Sequence, residues 1–61
     1  MMRYLVIEWI NGRTDWQAVA QFASDFHAIE WAKTNATDHG YGVEVWDVQN
    51  ESRTIWERTD A

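Results

Sequence analysis

The sequence predicts a two-layer α+β domain of order ββαββ, with one helix on one face of a four-stranded, mainly antiparallel sheet. Three observations predict it. An Asn11-Gly12 step closes a run rich in β-branched and aromatic residues, a run of period-2 alternation follows, and one alanine-striped segment then separates this hairpin from two more strand-like runs. Sixty-one residues hold one such domain, residues 1–61, and leave no room for a separate catalytic lobe.

The first strand is Tyr4 to Ile10 and the second Asp15 to Phe22, where Trp16, Ala18, Ala20 and Phe22 alternate with Gln17, Val19 and Gln21. A two-residue turn at Asn11-Gly12 opposes Glu8 to Asp15, a like-charge pair. A four-residue loop, Asn11 to Thr14, pairs Glu8 with Gln17 and Val6 with Val19 instead, and is preferred. Ser24 is suited to cap a helix, and Asp25 puts a carboxylate in its first turn. The helix is expected from about Asp25 to Asp38, stopped by Gly40 in the left-handed C′ position, with His39 at its C-terminal end. Ala28, Ala32 and Ala36 form a stripe at four-residue spacing, flanked by Ile29 and, further round, Phe26. Tyr41 to Val48 and Arg53 to Arg58 are the last two strands, joined by the polar turn Gln49-Asn50-Glu51-Ser52. With Val48 opposite Arg53, Val45 shares a face with Trp56, and Trp46 shares the other with Ile55. Strand order stays open at this level.

Alternation divides the apolar residues between two faces. Leu5, Ile7, Trp9, Trp16, Ala18, Ala20, Phe22, Val43, Val45 and Trp56 fall on one, expected beneath the alanine stripe in a large-on-small packing. Tyr4, Val6, Ile10, Val19, Trp46, Val48 and Ile55 fall on the other, among Glu8, Gln17, Gln21, Glu44, Arg53 and Glu57. One helix cannot cover both, and a contiguous apolar patch on a small domain commonly marks an interface.

Composition narrows the function classes. There is no cysteine, so disulfides, thiolate metal sites and thiol nucleophiles are excluded. Ten acidic residues against five basic ones, a net charge of −5, disfavour direct nucleic-acid binding even with aromatics on a sheet; Lys33 is the only lysine. The longest apolar run, Leu5-Val6-Ile7, is far short of the roughly 20 residues of a membrane span. Met1 to Tyr4 carries one positive charge and leads into no cleavable apolar region, so the cytoplasm is the default compartment. The glycosylation patterns at Asn35 and Asn50 are then accidental. A core this small rarely supplies more than about 3–5 kcal/mol without a staple. Five tryptophans or a partner subunit are the remedies left.

No constellation points to catalysis. His27 and His39 lie at opposite ends of the expected helix, roughly 18 Å apart at 1.5 Å per residue, so no metal site and no cofactor are expected. Ser24 and Ser52 serve a cap and a turn, and Gly40-Tyr41-Gly42 is a helix stop rather than a phosphate loop. Glu44 and Glu57 face each other on an open surface with no pocket to hold a substrate. His27 and Trp31, four residues apart, are expected side by side on the helix flank. The leading expectation is a non-enzymatic interaction module, a homodimer using Trp46, Val48, Ile55, Val6, Val19 and Tyr4 as apolar anchors, with Glu44 and Glu57 among them. Two alternatives accompany it: a small acidic inhibitor or adaptor, of phage or mobile-element type, that occupies a basic surface of a nucleic-acid-handling protein, and a small-ligand binder at a subunit interface.

Overall fold

A computed structural model describes residues 2–58; Met1, in the N-terminal stretch weighed above, lies outside them. The elements are β1 (Tyr4–Ile10), a short 3-10 turn (Asn11–Arg13), β2 (Asp15–Phe22), α1 (Asp25–Asn35), β3 (Val43–Asp47) and β4 (Arg53–Arg58). All pairings are antiparallel and the sheet order is β2-β1-β3-β4, so the ββαββ two-layer fold holds, with β2 and β4 at the edges.

The first hairpin has the four-residue loop, and Glu8 pairs with Gln17. Asn11, Gly12 and Arg13 all adopt positive φ, at 51°, 65° and 68°. Thr14 closes this left-handed turn by donating its amide and its hydroxyl to the Asn11 carbonyl, at 3.2 and 2.6 Å. Val6 meets Ala20 rather than Val19, because β2 carries a one-residue bulge at Val19 between Ala18 and Ala20. β4 carries a second bulge at Ile55: Trp56 pairs with Val45 and Thr54 with Trp46, while Arg53 pairs with Asp47 instead of Val48.

The helix starts as expected, with the Ser24 hydroxyl accepting from the His27 amide at 3.4 Å, but it ends at Asn35 rather than Asp38. Thr34 and Asn35 favour local side-chain bonds over another helical turn: the Thr34 hydroxyl bonds the Glu30 carbonyl and Asn35 bonds the Thr34 hydroxyl. Gly40 is therefore not the helix stop. Its φ of +97° serves a turn in which the Asp38 carboxylate accepts the Gly40 and Gly42 amides, at 2.7 and 3.1 Å. Arg58 from β4 donates to the Lys33 and Ala36 carbonyls, placing a cation where the helix dipole favours one.

Val6, Ala28, Ala32, Val43 and Val45 form the buried core, closed by Tyr4, Val19, Ala20, Phe22, Ile29, Trp31, Ala36 and Trp56. Burying a valine contributes about 1.5–3 kcal/mol, so this is a thin core. The register places Ala20, Val6, Val45 and Trp56 in one row beneath the helix. β1 is thus inverted relative to the expectation: Tyr4 and Val6 face the helix, and Leu5, Ile7 and Trp9 face away. The reason is that β1 is apolar on both sides, so its alternation cannot choose. Pairing Val6 with Val45 decides it, because the alanine stripe lies close enough to the sheet for valines to fill the gap. β2 is split by its bulge, Ala20 and Phe22 facing the helix while Trp16 and Ala18 face away.

Candidate interaction surface on the open sheet face

Among the described residues no helix covers the far side of the sheet, and Trp9, Trp16 and Trp46 gather there around Glu44. Trp9 and Trp16 sit opposite each other across the first hairpin, while Trp46 on β3 is held opposite Leu5. The Trp46 ring meets Trp16 edge-on at 4.9 Å between centroids and Trp9 at 6.1 Å. Such edge-to-face pairs contribute about 0.5–1.5 kcal/mol beyond the area they bury. Ile7 lies between Leu5 and Trp9 on this same side and is nevertheless wholly buried. With no helix above it, the indoles are its cover.

Glu44 is the polar centre of the cluster. Its Oε2 accepts from the Trp9 indole N–H at 2.8 Å and from Arg13 at 2.7 Å. Its Oε1 accepts from the Trp46 indole N–H and the Thr54 hydroxyl, both at 2.8 Å. Two donors on each oxygen fill the carboxylate's acceptor positions. Burial alone pushes the Glu44 carboxyl up, but these hydrogen bonds, from Trp46, Thr54, Arg13 and Trp9, outweigh it and hold the group below the ordinary glutamate value. Arg13 also stacks over the Trp9 ring at 4.5 Å and donates to the Tyr41 carbonyl. The left-handed turn aims it there. A carboxylate so occupied organises its neighbours and has no lone pair left over for a reacting proton.

Around this centre the surface stays apolar and accessible. Trp16 is 47% exposed, and Trp46 and Leu5 are half-buried. Along β2 a shallow hollow of about 200 Å³ is lined by Leu5, Ala18, Val19, Ala20 and Gln21.

Of the expected anchors, the structure brings Trp46 and Glu44 into the cluster, and Glu57 pairs with Glu44 in register; Ile55 is exposed in the β4 bulge, without a partner in the register. Val48 is half-buried just past β3, its amide donating to the Arg3 carbonyl at 2.9 Å. Val6, Val19 and Tyr4 are corrections: all three pack on the helix side, Val6 with no exposed surface, so none belongs to the open face. Trp9, Trp16, Arg13 and Thr54 are the members that sequence reasoning did not place here. The Trp9–Trp16 pairing was readable from the hairpin register; which face it occupied was not.

Two further polar clusters brace the scaffold. Glu8, buried on the helix side, accepts from the Thr37 amide at 2.9 Å and from Gln17 at 3.3 Å, and meets His39 Nε2 at 2.9 Å. His39 thus pins the 36–42 loop to the sheet instead of serving the helix terminus. Asp47 takes Arg3 bidentately, with both contacts at 2.8 Å. Of the pair expected on the helix flank, the exposed His27 lies against Phe26, and the half-buried Trp31 packs on Phe22 with centroids 6.1 Å apart. Among the described residues no group of His, Asp or Glu side chains is arranged to hold a metal ion, and no helix is long and apolar enough to cross a membrane. Comparison with known protein families, curated proteins and solved structures finds no match to this chain.

Proposed function

We propose that the protein is a non-enzymatic protein-interaction module that joins a second copy of itself through the open face of its sheet. The observation that carries this reading is the aromatic surface on the side that α1 leaves bare, where Trp16 is 47% exposed and meets the half-buried Trp46. Three features favour a second copy as the occupant. The chain leaves its core thin, none of its tryptophans being among the fully buried side chains. The face is close to neutral, because Arg13 offsets Glu44 and leaves Glu57 as its exposed charge, so the −5 of the whole chain is not concentrated there. The molecule is a slab of 29 × 23 × 15 Å. Its broad side is on the order of 700 Å², close to the roughly 800 Å² per partner of a stable interface.

Sedimentation velocity over a range of concentrations tests the reading. The wild type is expected to shift from 7.2 kDa to twice that mass, and Trp16→Glu is expected to remain at the lower value. A wild-type chain that stays at 7.2 kDa up to about 0.5 mM, where even weak dimers populate, refutes it.

A further inference from the structure

Asn11, Asn35 and Asn50 are all exposed, and they differ in the residue that follows. Ala36 and Glu51 carry side chains beside the next main-chain amide; Gly12 carries none, and nothing lies within 4 Å of where one would begin. The Gly12 nitrogen is therefore open to close approach by the side chain before it. Asparagine is a thermolabile residue, and exposed turns open locally at little cost in free energy. Arg13, the next residue along, bonds Glu44 at 2.7 Å and stacks over Trp9, so this turn also secures the open-face cluster.

We propose that Asn11 is a site of spontaneous modification, converting to isoaspartate, and that the conversion releases Arg13 from Glu44 and Trp9. The inference concerns the single chain and does not rest on the face contact proposed above. In the first step the Gly12 nitrogen attacks Asn11 Cγ. The N–Cγ bond forms, the Cγ–Nδ2 bond breaks, and the side-chain amide leaves as ammonia, taking up the proton that the Gly12 nitrogen gives away. Water then opens the resulting succinimide at either carbonyl. Opening at the side-chain carbonyl gives aspartate. Opening at the main-chain carbonyl gives isoaspartate, whose chain runs on to Gly12 through Cγ. Nothing is oxidised or reduced, and water is the co-reactant.

Isoaspartate undoes the turn at the atom that closes it. The Asn11 carbonyl accepts the Thr14 amide at 3.2 Å and the Thr14 hydroxyl at 2.6 Å. In isoaspartate that carbonyl leaves the main chain as a free carboxylate, and an extra backbone atom enters the loop. The positive φ values of Asn11, Gly12 and Arg13 aim the guanidinium at Glu44, and a longer main chain changes that aim. The side-chain amide that donates to Asp15 at 3.1 Å is lost in the same reaction. Glu44 Oε2 then keeps the Trp9 indole and loses its cation.

Incubation of the wild-type chain at mildly alkaline pH, followed by peptide mass mapping, tests the site. Residue 11 is expected to show the mass change of an amide turned acid, with fragmentation identifying isoaspartate, while Asn35 and Asn50 stay intact. Conversion at Asn35 or Asn50 that keeps pace with Asn11 overturns the assignment. Isoaspartyl chains, separated by chromatography, are expected to lose near-ultraviolet tryptophan signal and urea midpoint as Arg13→Ala does. Conversion within Arg13→Ala is expected to cost that signal nothing further. Isoaspartyl wild-type chains that keep signal and midpoint overturn the release of Arg13, as does an equal further loss of signal within Arg13→Ala. Asn11→Asp brings the charge without rerouting the chain, and exposed charges interact weakly, so it is expected to keep the signal. A loss in Asn11→Asp as large as that of isoaspartate overturns the rerouting.

Discussion

Glu44 and Trp46 stand two residues apart on β3, on the same side of the sheet, and the Trp46 indole N–H donates to Glu44 Oε1 at 2.8 Å. This bond turns the Trp46 ring back along its own strand and over the first hairpin, where it meets Trp9 and Trp16. A second small core results, on the side of the sheet that the helix leaves bare, with Ile7 beneath it.

Replacing Glu44 tests whether the carboxylate organises that cluster. Glu44→Gln keeps the shape but points an amide N–H₂ at groups that are themselves donors. The expected loss is about 2–4 kcal/mol, read from the urea midpoint, with a weakened near-ultraviolet tryptophan signal. An unchanged midpoint would show that the indoles hold together without it.

Ile7→Ala probes the cover the indoles provide. Ile7 has no exposed surface although no helix lies over it, so its truncation is expected to cost about 2–4 kcal/mol, as in an ordinary core. A cost below about 1 kcal/mol would mean that the site is wet.

The left-handed turn sets up a comparison at Arg13. Arg13→Ala removes the bond to Glu44 and the stacking on Trp9, an expected loss of about 1–2 kcal/mol. Arg13→Gly removes the same contacts but relieves a φ of +68°, so it is expected to be about 1 kcal/mol less damaging. Equal losses in chemical denaturation would leave no strain to relieve.

The second hairpin offers a gain instead. Glu51 and Ser52 both hold positive φ, at 57° and 54°, in a turn closed by the Arg53 amide donating to the Asn50 carbonyl at 3.1 Å. Ser52→Gly is expected to stabilise by about 1 kcal/mol, raising the melting temperature by about 4–8 °C. A melting temperature that falls would contradict the turn geometry.

Acid should unfold the protein through three carboxylates. Burial works against ionisation of Glu8 and Glu44, but hydrogen bonds outweigh it; for Asp47 the Arg3 contact is the largest influence. All three lie below their ordinary values of 4.5, 4.5 and 3.8. The unfolded chain therefore binds protons more readily than the folded one. Stability contributed by these groups is complete above the ordinary values and is lost as pH falls through the lower folded ones. Urea midpoints are expected to change little from about pH 7 to 5 on account of these groups and to drop by about pH 3; a midpoint that rises on acidification contradicts the assignment.

Much of the fold was legible in local pattern. The bounds of β1, β2 and β4, the four-residue loop after Ile10 and the Ser24 cap all follow from side-chain types acting on their own backbone. The helix terminus was misjudged because Gly40 looks like a stop. The chain actually leaves the helix at Ala36, and Arg58, more than twenty residues away, serves the last carbonyls. The open face was half legible: Trp46 was placed on it, while Val6, Val19 and Tyr4 were assigned there and pack on the helix side.

The amino-acid sequence by itself determined the inventory, two hairpins around one alanine-striped helix, because turn chemistry, capping and alternation act over a few residues. Which face of β1 meets the helix was decided only by tertiary structure. A strand with Leu5, Ile7 and Trp9 on one side and Tyr4 and Val6 on the other has no intrinsic orientation. Its pairing with β3 and the single-residue bulge at Val19 supply one, and with it they set the tryptophans outward around Glu44.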